Sequence, residues 1–134
     1  MIVVDTTILS LVFRRRRGAP RDAATLERWR ELIIGGAPLA VPGIALQELF
    51  SGVRPEQAPR LHEALRGYRT ILADRSTHLL AAELANRCAR AGVSAATVDC
   101  LIAAHKVAGN ARLFTVDDDF KGIAKHTGLR LYVM

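Results

Sequence analysis

The sequence predicts an α/β domain in which helices cover both faces of a parallel β-sheet. Short apolar runs alternate along the chain with longer amphipathic stretches, which is the pattern of strands joined by helical crossovers. The 134 residues fit one domain, 1–134, and leave little room for a second. The composition is 50% hydrophobic and 24% charged, which is enough apolar surface for a hydrophobic core and argues against a globally disordered chain.

Five short apolar runs are the predicted strands. The first, Ile2-Val3-Val4, is β-branched and ends at a polar residue, as buried strands do. The second is broken by Pro42-Gly43, a strong turn signal. The predicted strands are residues 2–4, 39–41, 70–72, 112–116 and 129–133.

The intervening stretches are predicted helices because their apolar residues recur at helical spacing. The first of them ends at Gly35-Gly36 and the fourth at Gly92, since glycine commonly follows a helix C-terminus. The predicted helices are residues 26–34, 44–50, 56–65, 79–91 and 98–108. The acidic run at 117–119 is able to start a further helix toward Ile123.

Charge and cysteine content narrow the class of protein. The net charge of +6 and the pI of about 10.1 favour an anionic partner. Sixteen of the nineteen basic residues are arginine, which fits either phosphate contacts or a GC-rich coding sequence.

Cys88 and Cys100 cannot form a disulfide framework, so we expect both to be reduced and buried. Neither a signal peptide nor an apolar run of membrane-spanning length is visible, and we expect a cytoplasmic protein.

Four acidic residues occur where acids are costly. Asp5 and Asp117 each follow a predicted buried strand, and the carboxyl ends of parallel strands line the ligand crevice of an open sheet. Asp99 lies in the first turn of an apolar helix, where the helix dipole favours a carboxylate. Glu48 lies next to Leu49 on a short helix, where a solvated acid is not expected.

A divalent cation is the simplest way to make such acids compatible with one crevice. No basic residue lies within four positions of Asp5, Glu48 or Asp99. Clustered carboxylates repel one another, and a hard cation with oxygen ligands, Mg²⁺ or Mn²⁺, removes the repulsion. Such a cation acts naturally on phosphates, so an acidic crevice in a basic protein suits the hydrolysis of a polyanion. Each acid taken alone also fits a turn or helix-cap residue.

Four segments, taken in order, carry a family resemblance. They are IVVDTT at 2–7, QELFSG at 47–52, VDCLIAA at 98–104 and LFTVDDDF at 113–120. This pattern resembles the PIN-domain ribonucleases, specifically the VapC-type toxins of type II toxin–antitoxin pairs, over nearly the whole chain. The resemblance implies a three-layer α/β/α sandwich with a five-stranded parallel sheet. It also implies an endoribonuclease that uses Mg²⁺ or Mn²⁺ to cleave RNA phosphodiester bonds.

The same resemblance assigns roles to individual residues. It implies a catalytic and metal-binding quartet of Asp5, Glu48, Asp99 and Asp117, with Asp119 as a secondary or structural metal ligand. Thr7 and Thr115 are expected to orient the carboxylates by hydrogen bonds.

The implied partners are an RNA substrate and a VapB-like antitoxin that inserts a segment, with an arginine, into the acidic crevice. A homodimer and a toxin–antitoxin hetero-oligomer are implied as well, with no membrane association. The arginine run Arg14, Arg15, Arg16 and Arg17 is richer in charge than the family pattern leads us to expect. It is either a solvated loop or a contact for RNA phosphates or for acidic residues of the antitoxin.

Two other functions are compatible with acids at strand ends. A metal-dependent phosphatase or receiver-like domain needs a phosphorylated aspartate with a lysine nearby, but Lys106, Lys121 and Lys125 do not directly follow a strand. A non-catalytic RNA-binding module predicts salt-sensitive RNA binding without a metal requirement. The intact acidic quartet argues against this second alternative.

Overall fold

The computed structural model describes residues 1–14, 20–109 and 111–132, and these form a parallel five-stranded sheet with seven helices. The strands are β1 (Ile2–Val4), β2 (Leu39–Pro42), β3 (Arg69–Ile71), β4 (Arg112–Phe114) and β5 (Arg130–Leu131). The helices are α1 (Thr6–Phe13), α2 (Pro20–Ile34), α3 (Gly43–Phe50), α4 (Ala58–Leu65), α5 (Arg75–Arg90), α6 (Thr97–Gly109) and α7 (Asp119–His126). The predicted α/β class and parallel sheet are confirmed.

Successive residues of the central strands pack into two different cores, one on each face of the sheet. Val3 and Leu113 belong to one core, which α5, α6 and α7 cover. Val4 and Phe114, the next residues along the same strands, belong to the other, which α1 to α4 cover. Because side chains alternate between the faces of a strand, two adjacent apolar residues serve both cores. The result is the expected three-layer sandwich.

The order of the strands, β3-β2-β1-β4-β5, creates a crevice beside β1. The chain leaves β1 into α1 on one face of the sheet, whereas α6 leads into β4 from the opposite face. Ligands of open α/β sheets bind at such a switch point, beyond the carboxyl ends of the strands. This order also differs from the 2-1-3-4-5 order of receiver domains, so the receiver-like alternative is wrong.

Several boundaries differ from the predicted ones. The apolar pattern assigned no element to the residues that form α1, and α2 begins six residues earlier than predicted. Strand β4 ends at Phe114 because the next residues leave the ladder, and the Val116 amide donates instead to Thr7 Oγ1 at 3.3 Å. Strand β3 begins and ends one residue early, leaving Leu72 79% exposed. Strand β5 ends at Leu131, and residue 133 of the prediction lies outside the described residues.

Both cysteines are buried and unpaired, as expected. Across the described part of the chain, helices fall short of the length and apolar character needed to cross a membrane.

A buried lysine is the main energetic anomaly of the fold. The side chain of Lys106, on α6, is only 2% exposed. Its ammonium nitrogen has no hydrogen-bond acceptor among the described residues. Burial lowers the pKa of Lys106 to about 8, since a low-dielectric environment disfavours the charged form. The charged lysine therefore destabilises the native state at neutral pH.

Replacing Lys106 with methionine is expected to raise the free energy of unfolding at pH 7 by on the order of 2 kcal/mol, because an apolar chain of similar length fills the same space. Between the native pKa of about 8 and the unfolded value of 10.5, the unfolded chain binds more protons than the native one. The contribution of Lys106 to wild-type stability therefore rises with pH in this window, and Lys106→Met removes that rise. Urea unfolding at pH 7 and pH 9.5 measures both effects.

The matched control is Lys125→Met, which removes an exposed lysine from α7 and should change stability little. A Lys106→Met protein that is less stable than wild type at pH 7 contradicts the account.

Candidate metal centre

The strand register fixes Asp5 beside Thr115 at the crevice. Val4 pairs with Phe114, so the residues that follow β1 and β4 are neighbours, and the Asp5 amide donates to the Phe114 carbonyl at 3.2 Å. Thr115 Oγ1 donates to Asp5 Oδ2 at 2.6 Å and Thr7 Oγ1 donates to Asp5 Oδ1 at 2.7 Å. Asp5 is 2% exposed and also caps α1. The two predicted orienting hydroxyls thus both hold this one carboxylate.

Three further carboxylates converge next to Asp5. Asp99 is in the first turn of α6, Asp117 follows β4, and Asp119 begins α7. One carboxylate oxygen from each of these three residues lies within 4.8 Å of the others. The backbone holds the group in shape, because the Asp117 amide donates to Thr115 Oγ1 and the Asp119 amide donates to Asp117 Oδ1, both at 2.9 Å. Asp119, expected as a secondary ligand, is therefore a full member of the compact group.

Glu48 departs from its prediction. The sequence argument expected no solvated acid on α3, whereas Glu48 is exposed. Its carboxylate accepts a hydrogen bond from Thr6 Oγ1 at 2.6 Å, which fixes it at the crevice without burying it. Neither Glu48 nor Asp5 belongs to the compact group of three found among the described residues, although the charges of both raise the pKa of Asp99. Thr6 is a functional candidate that sequence reasoning missed, because its partner is on a distant helix.

The crevice is electrostatically unfavourable for ionised acids. Burial, and to a smaller extent the charges of Asp117 and Asp119, together raise the pKa of Asp99 to about 6. Burial also raises the pKa of Asp5 to about 6, although the hydrogen bonds from Thr115 and Thr7 oppose this effect. In the part of the chain that the structure describes, no ion pair joins Asp99, Asp117 or Asp119 to a basic side chain. Clustered carboxylate oxygens of this kind are the donor set that Mg²⁺ and Mn²⁺ prefer. The residues present therefore fit a hard divalent cation.

The arginine run contributes a structural contact. Arg14 Nη1 donates to the Leu49 carbonyl at 2.7 Å, where it satisfies an acceptor near the C-terminus of α3. Arg14 is thus engaged within its own chain, whereas the run was expected to be either a solvated loop or a contact for RNA or the antitoxin. Arg15, Arg16 and Arg17 lie outside the described residues.

Comparison with known proteins identifies the family. A family model described as PIN domain matches residues 2–126. The chain belongs to the PIN domain family. The predicted membership of the PIN-domain family is thereby confirmed. A search of curated proteins finds no match.

Solved structures share this PIN fold at low sequence identity. FitAcB from Neisseria gonorrhoeae is 21% identical with a TM-score of 0.75, covering 99% of this chain and 97% of that one. VapBC2 from Rickettsia felis, bound to a DNA fragment from their promoter, is 23% identical with a TM-score of 0.77, covering 98% of both chains. DNA-bound VapBC from Salmonella typhimurium is 17% identical with a TM-score of 0.68, covering 98% and 96%. At these identities the similarity supports the fold.

Removing one charge from the compact group should stabilise the metal-free PIN domain. In EDTA at pH 7, Asp99→Asn is expected to raise the free energy of unfolding by on the order of 1 kcal/mol, because the neutral amide is not repelled by its neighbours. The native pKa of about 6 lies above the ordinary aspartate value of 3.8, so ionised Asp99 destabilises the protein above pH 6. The difference should shrink as the pH falls from about 6 and should vanish by about pH 3, where Asp99 is protonated in both the native and the unfolded state.

Asp118→Asn is the control for this measurement, since Lys121 lowers the pKa of Asp118 and its charge is tolerated. Equal gains for Asp118→Asn and Asp99→Asn, or a loss for Asp99→Asn at pH 7, would show that the group is not repulsive.

The hydroxyl of Thr115 should determine the ionisation of Asp5. Thr115→Val deletes the hydrogen bond to Asp5 Oδ2, which favours the ionised form, and should raise the pKa of Asp5 from about 6 to about 7 or above. A carboxyl-detected NMR titration in EDTA measures this pKa. Thr115→Ser, which keeps the hydroxyl, should restore the wild-type value. An unchanged pKa in Thr115→Val would mean that this hydrogen bond does not form in solution.

Proposed function

We propose that this PIN domain is a Mg²⁺- or Mn²⁺-dependent endoribonuclease of the VapC toxin type. The observation that carries the proposal is the compact group of Asp99, Asp117 and Asp119 beside the buried Asp5. Repelling carboxylates at a topological switch point are costly to maintain in a structural role. They become favourable when a divalent cation lies between them and a phosphate.

The residues divide into ligands and positioning groups. Asp99, Asp117 and Asp119 would hold the cation, with Asp5 and Glu48 contributing at the edge of the group. When bound, the cation supplies Lewis-acid activation of water and offsets the charge of the phosphodiester. Hydrolysis then breaks one P–O bond of the RNA strand and adds the elements of water.

Threonine hydroxyls fix the orientation of two of the carboxylates by hydrogen bonds. Thr7 and Thr115 donate to the two oxygens of Asp5, so this carboxylate stays in one orientation as the substrate arrives. Thr6 does the same for Glu48. Fixed oxygens lose little further entropy on coordination and hold the reacting phosphate at one angle.

The charge distribution favours RNA as the substrate. The chain carries 19 basic and 13 acidic residues, and several of the acids are concentrated at the candidate metal centre. The rest of the surface is therefore strongly basic and suited to a phosphate backbone. RNA in the cytoplasm is the polyanion that the proposal assigns to this surface.

A protein of this type needs an inhibitor, and we assign that role to a VapB-like antitoxin. The structural neighbours from Rickettsia felis and Salmonella typhimurium are VapBC proteins. A basic side chain of the antitoxin placed among Asp99, Asp117 and Asp119 would neutralise the repulsion that a cation otherwise relieves. A homodimer and a toxin–antitoxin hetero-oligomer are part of the same proposal.

The decisive experiment compares wild type and Asp99→Asn on total RNA, with cleavage sites mapped by sequencing. Wild type should cut RNA in Mn²⁺ and stop in EDTA, whereas Asp99→Asn should be slower by about 100-fold or more. Glu56→Gln, in which an exposed acid outside the candidate metal centre is neutralised, should cleave as wild type does.

Thermal unfolding separates loss of metal from loss of fold. Mn²⁺ at 100 times its Kd should stabilise wild type by about 2.7 kcal/mol and should leave Asp99→Asn nearly unshifted. Cleavage by Asp99→Asn at the wild-type rate, or no Mn²⁺-dependent shift in wild type, would refute the proposed function.

A further inference from the structure

A small cleft adjoins the candidate metal centre on the side of β5. It has a volume of about 280 Å³ and shares Thr115 and Asp117 with the centre. Its other walls come from α2, from α7 and from the residue after β5, which contribute Arg21, Lys121 and Tyr132. This volume is at the small end of ligand pockets. A cleft of this volume suits a single amino-acid residue or a single nucleotide.

Two positive charges converge on this cleft from different elements. Lys121 contacts the Asp118 carboxylate at 3.0 Å, and Arg21 lines the same cleft from α2. The Lys121–Asp118 pair is exposed on both sides, so it is weak and is readily exchanged for another anion. Once a cation shares the charge of Asp117, the two basic residues outweigh Asp118. The cleft then attracts a phosphate.

An aromatic ring forms the apolar wall of the cleft. The backbone amide of Tyr132 donates to the Leu113 carbonyl at 2.8 Å. Its ring packs edge-on against Phe114, with ring centroids 5.4 Å apart and an interplanar angle of 61°. Val116 lies on the same wall. A ring that the core already holds in place offers a face for a nucleic-acid base at little further entropic cost.

We propose that this cleft binds the nucleotide next to the scissile phosphate of a single-stranded RNA, with its phosphate on Lys121 and Arg21 and its base against Tyr132. The inference rests on the proposed ribonuclease function and adds a substrate subsite to it. Asp117 belongs both to the wall of the cleft and to the compact acidic group, so neighbouring nucleotides of one strand can reach both.

The test measures RNA affinity separately from cleavage. All variants are made in the wild-type background so that the metal centre is intact. The probe is a fluorescein-labelled single-stranded RNA of about 12 mixed-sequence nucleotides with phosphorothioate linkages, which slow cleavage. It is titrated at several salt concentrations in Ca²⁺, which also takes oxygen ligands, and a denaturing gel confirms that the probe stays intact. Lys121→Gln should weaken binding about fivefold. It should also reduce the slope of log Kd against log salt by about 0.7, as expected for the loss of one phosphate contact on a single strand. Lys125→Gln removes the same charge one turn further along α7 and should leave the slope unchanged.

The aromatic wall is tested with the same probe. Tyr132→Leu should weaken binding about tenfold without changing the salt slope, because it removes stacking and leaves the phosphate contacts in place. Tyr132→Phe keeps the ring and should bind as the parent does. Melting curves show whether each variant is folded. If Tyr132→Leu does not fold, the RNA affinities of Tyr132→Phe and Lys121→Gln still test the subsite.

The outcomes separate this inference from the function on which it rests. Equal effects of Lys121→Gln and Lys125→Gln, or no effect of Lys121→Gln, would overturn the subsite even if wild type cleaves RNA. Absence of metal-dependent cleavage by wild type would overturn the proposed function, whatever the affinities are. A salt slope that changes at Lys121 alone, together with a ring requirement at Tyr132, supports the subsite.

Discussion

Concentrated negative charge at the carboxyl ends of β1 and β4 is the constraint on which the rest of the site depends. Asp99, Asp117 and Asp119 each place an oxygen within 4.8 Å of the others, and the pKa values of Asp5 and Asp99 are both raised to about 6. Such a group is unfavourable in the absence of a cation and favourable in its presence. The surrounding hydrogen bonds hold the carboxylates close together despite their mutual repulsion.

The fold creates this arrangement through its topology. Since α1 and α6 lie on opposite faces of the sheet, a crevice forms at the carboxyl ends of β1 and β4. Asp5 follows β1 directly and Asp117 follows β4 after a two-residue turn, so both reach the crevice from the centre of the sheet. Packing in the two cores stabilises the native state and offsets the destabilising effects of the acidic site and of the buried ammonium of Lys106.

Features fixed by local pattern could be predicted from the sequence, and features fixed by tertiary packing could not. The unbroken apolar runs that contain Val3-Val4 and Leu113-Phe114 predict strands buried on both faces, because successive side chains point to opposite faces of a strand. An acid that follows such a strand is predicted to line the crevice. Asp119 joins the compact group only because a turn folds its amide onto Asp117. The exposure of Glu48 depends on packing between α1 and α3, which leaves no trace in the spacing of its neighbours. The burial of Lys106 is equally invisible, because lysine is ordinarily a surface residue.

The most direct test of the central claim is anomalous diffraction at the manganese edge from crystals soaked in Mn²⁺. The account predicts one strong anomalous peak at coordination distance, about 2–2.5 Å, from oxygens of Asp99, Asp117 and Asp119. The same soak with Asp99→Asn crystals should give a much weaker peak. A wild-type map with no peak among these carboxylates, or with the three side chains turned away from one another, would contradict the account.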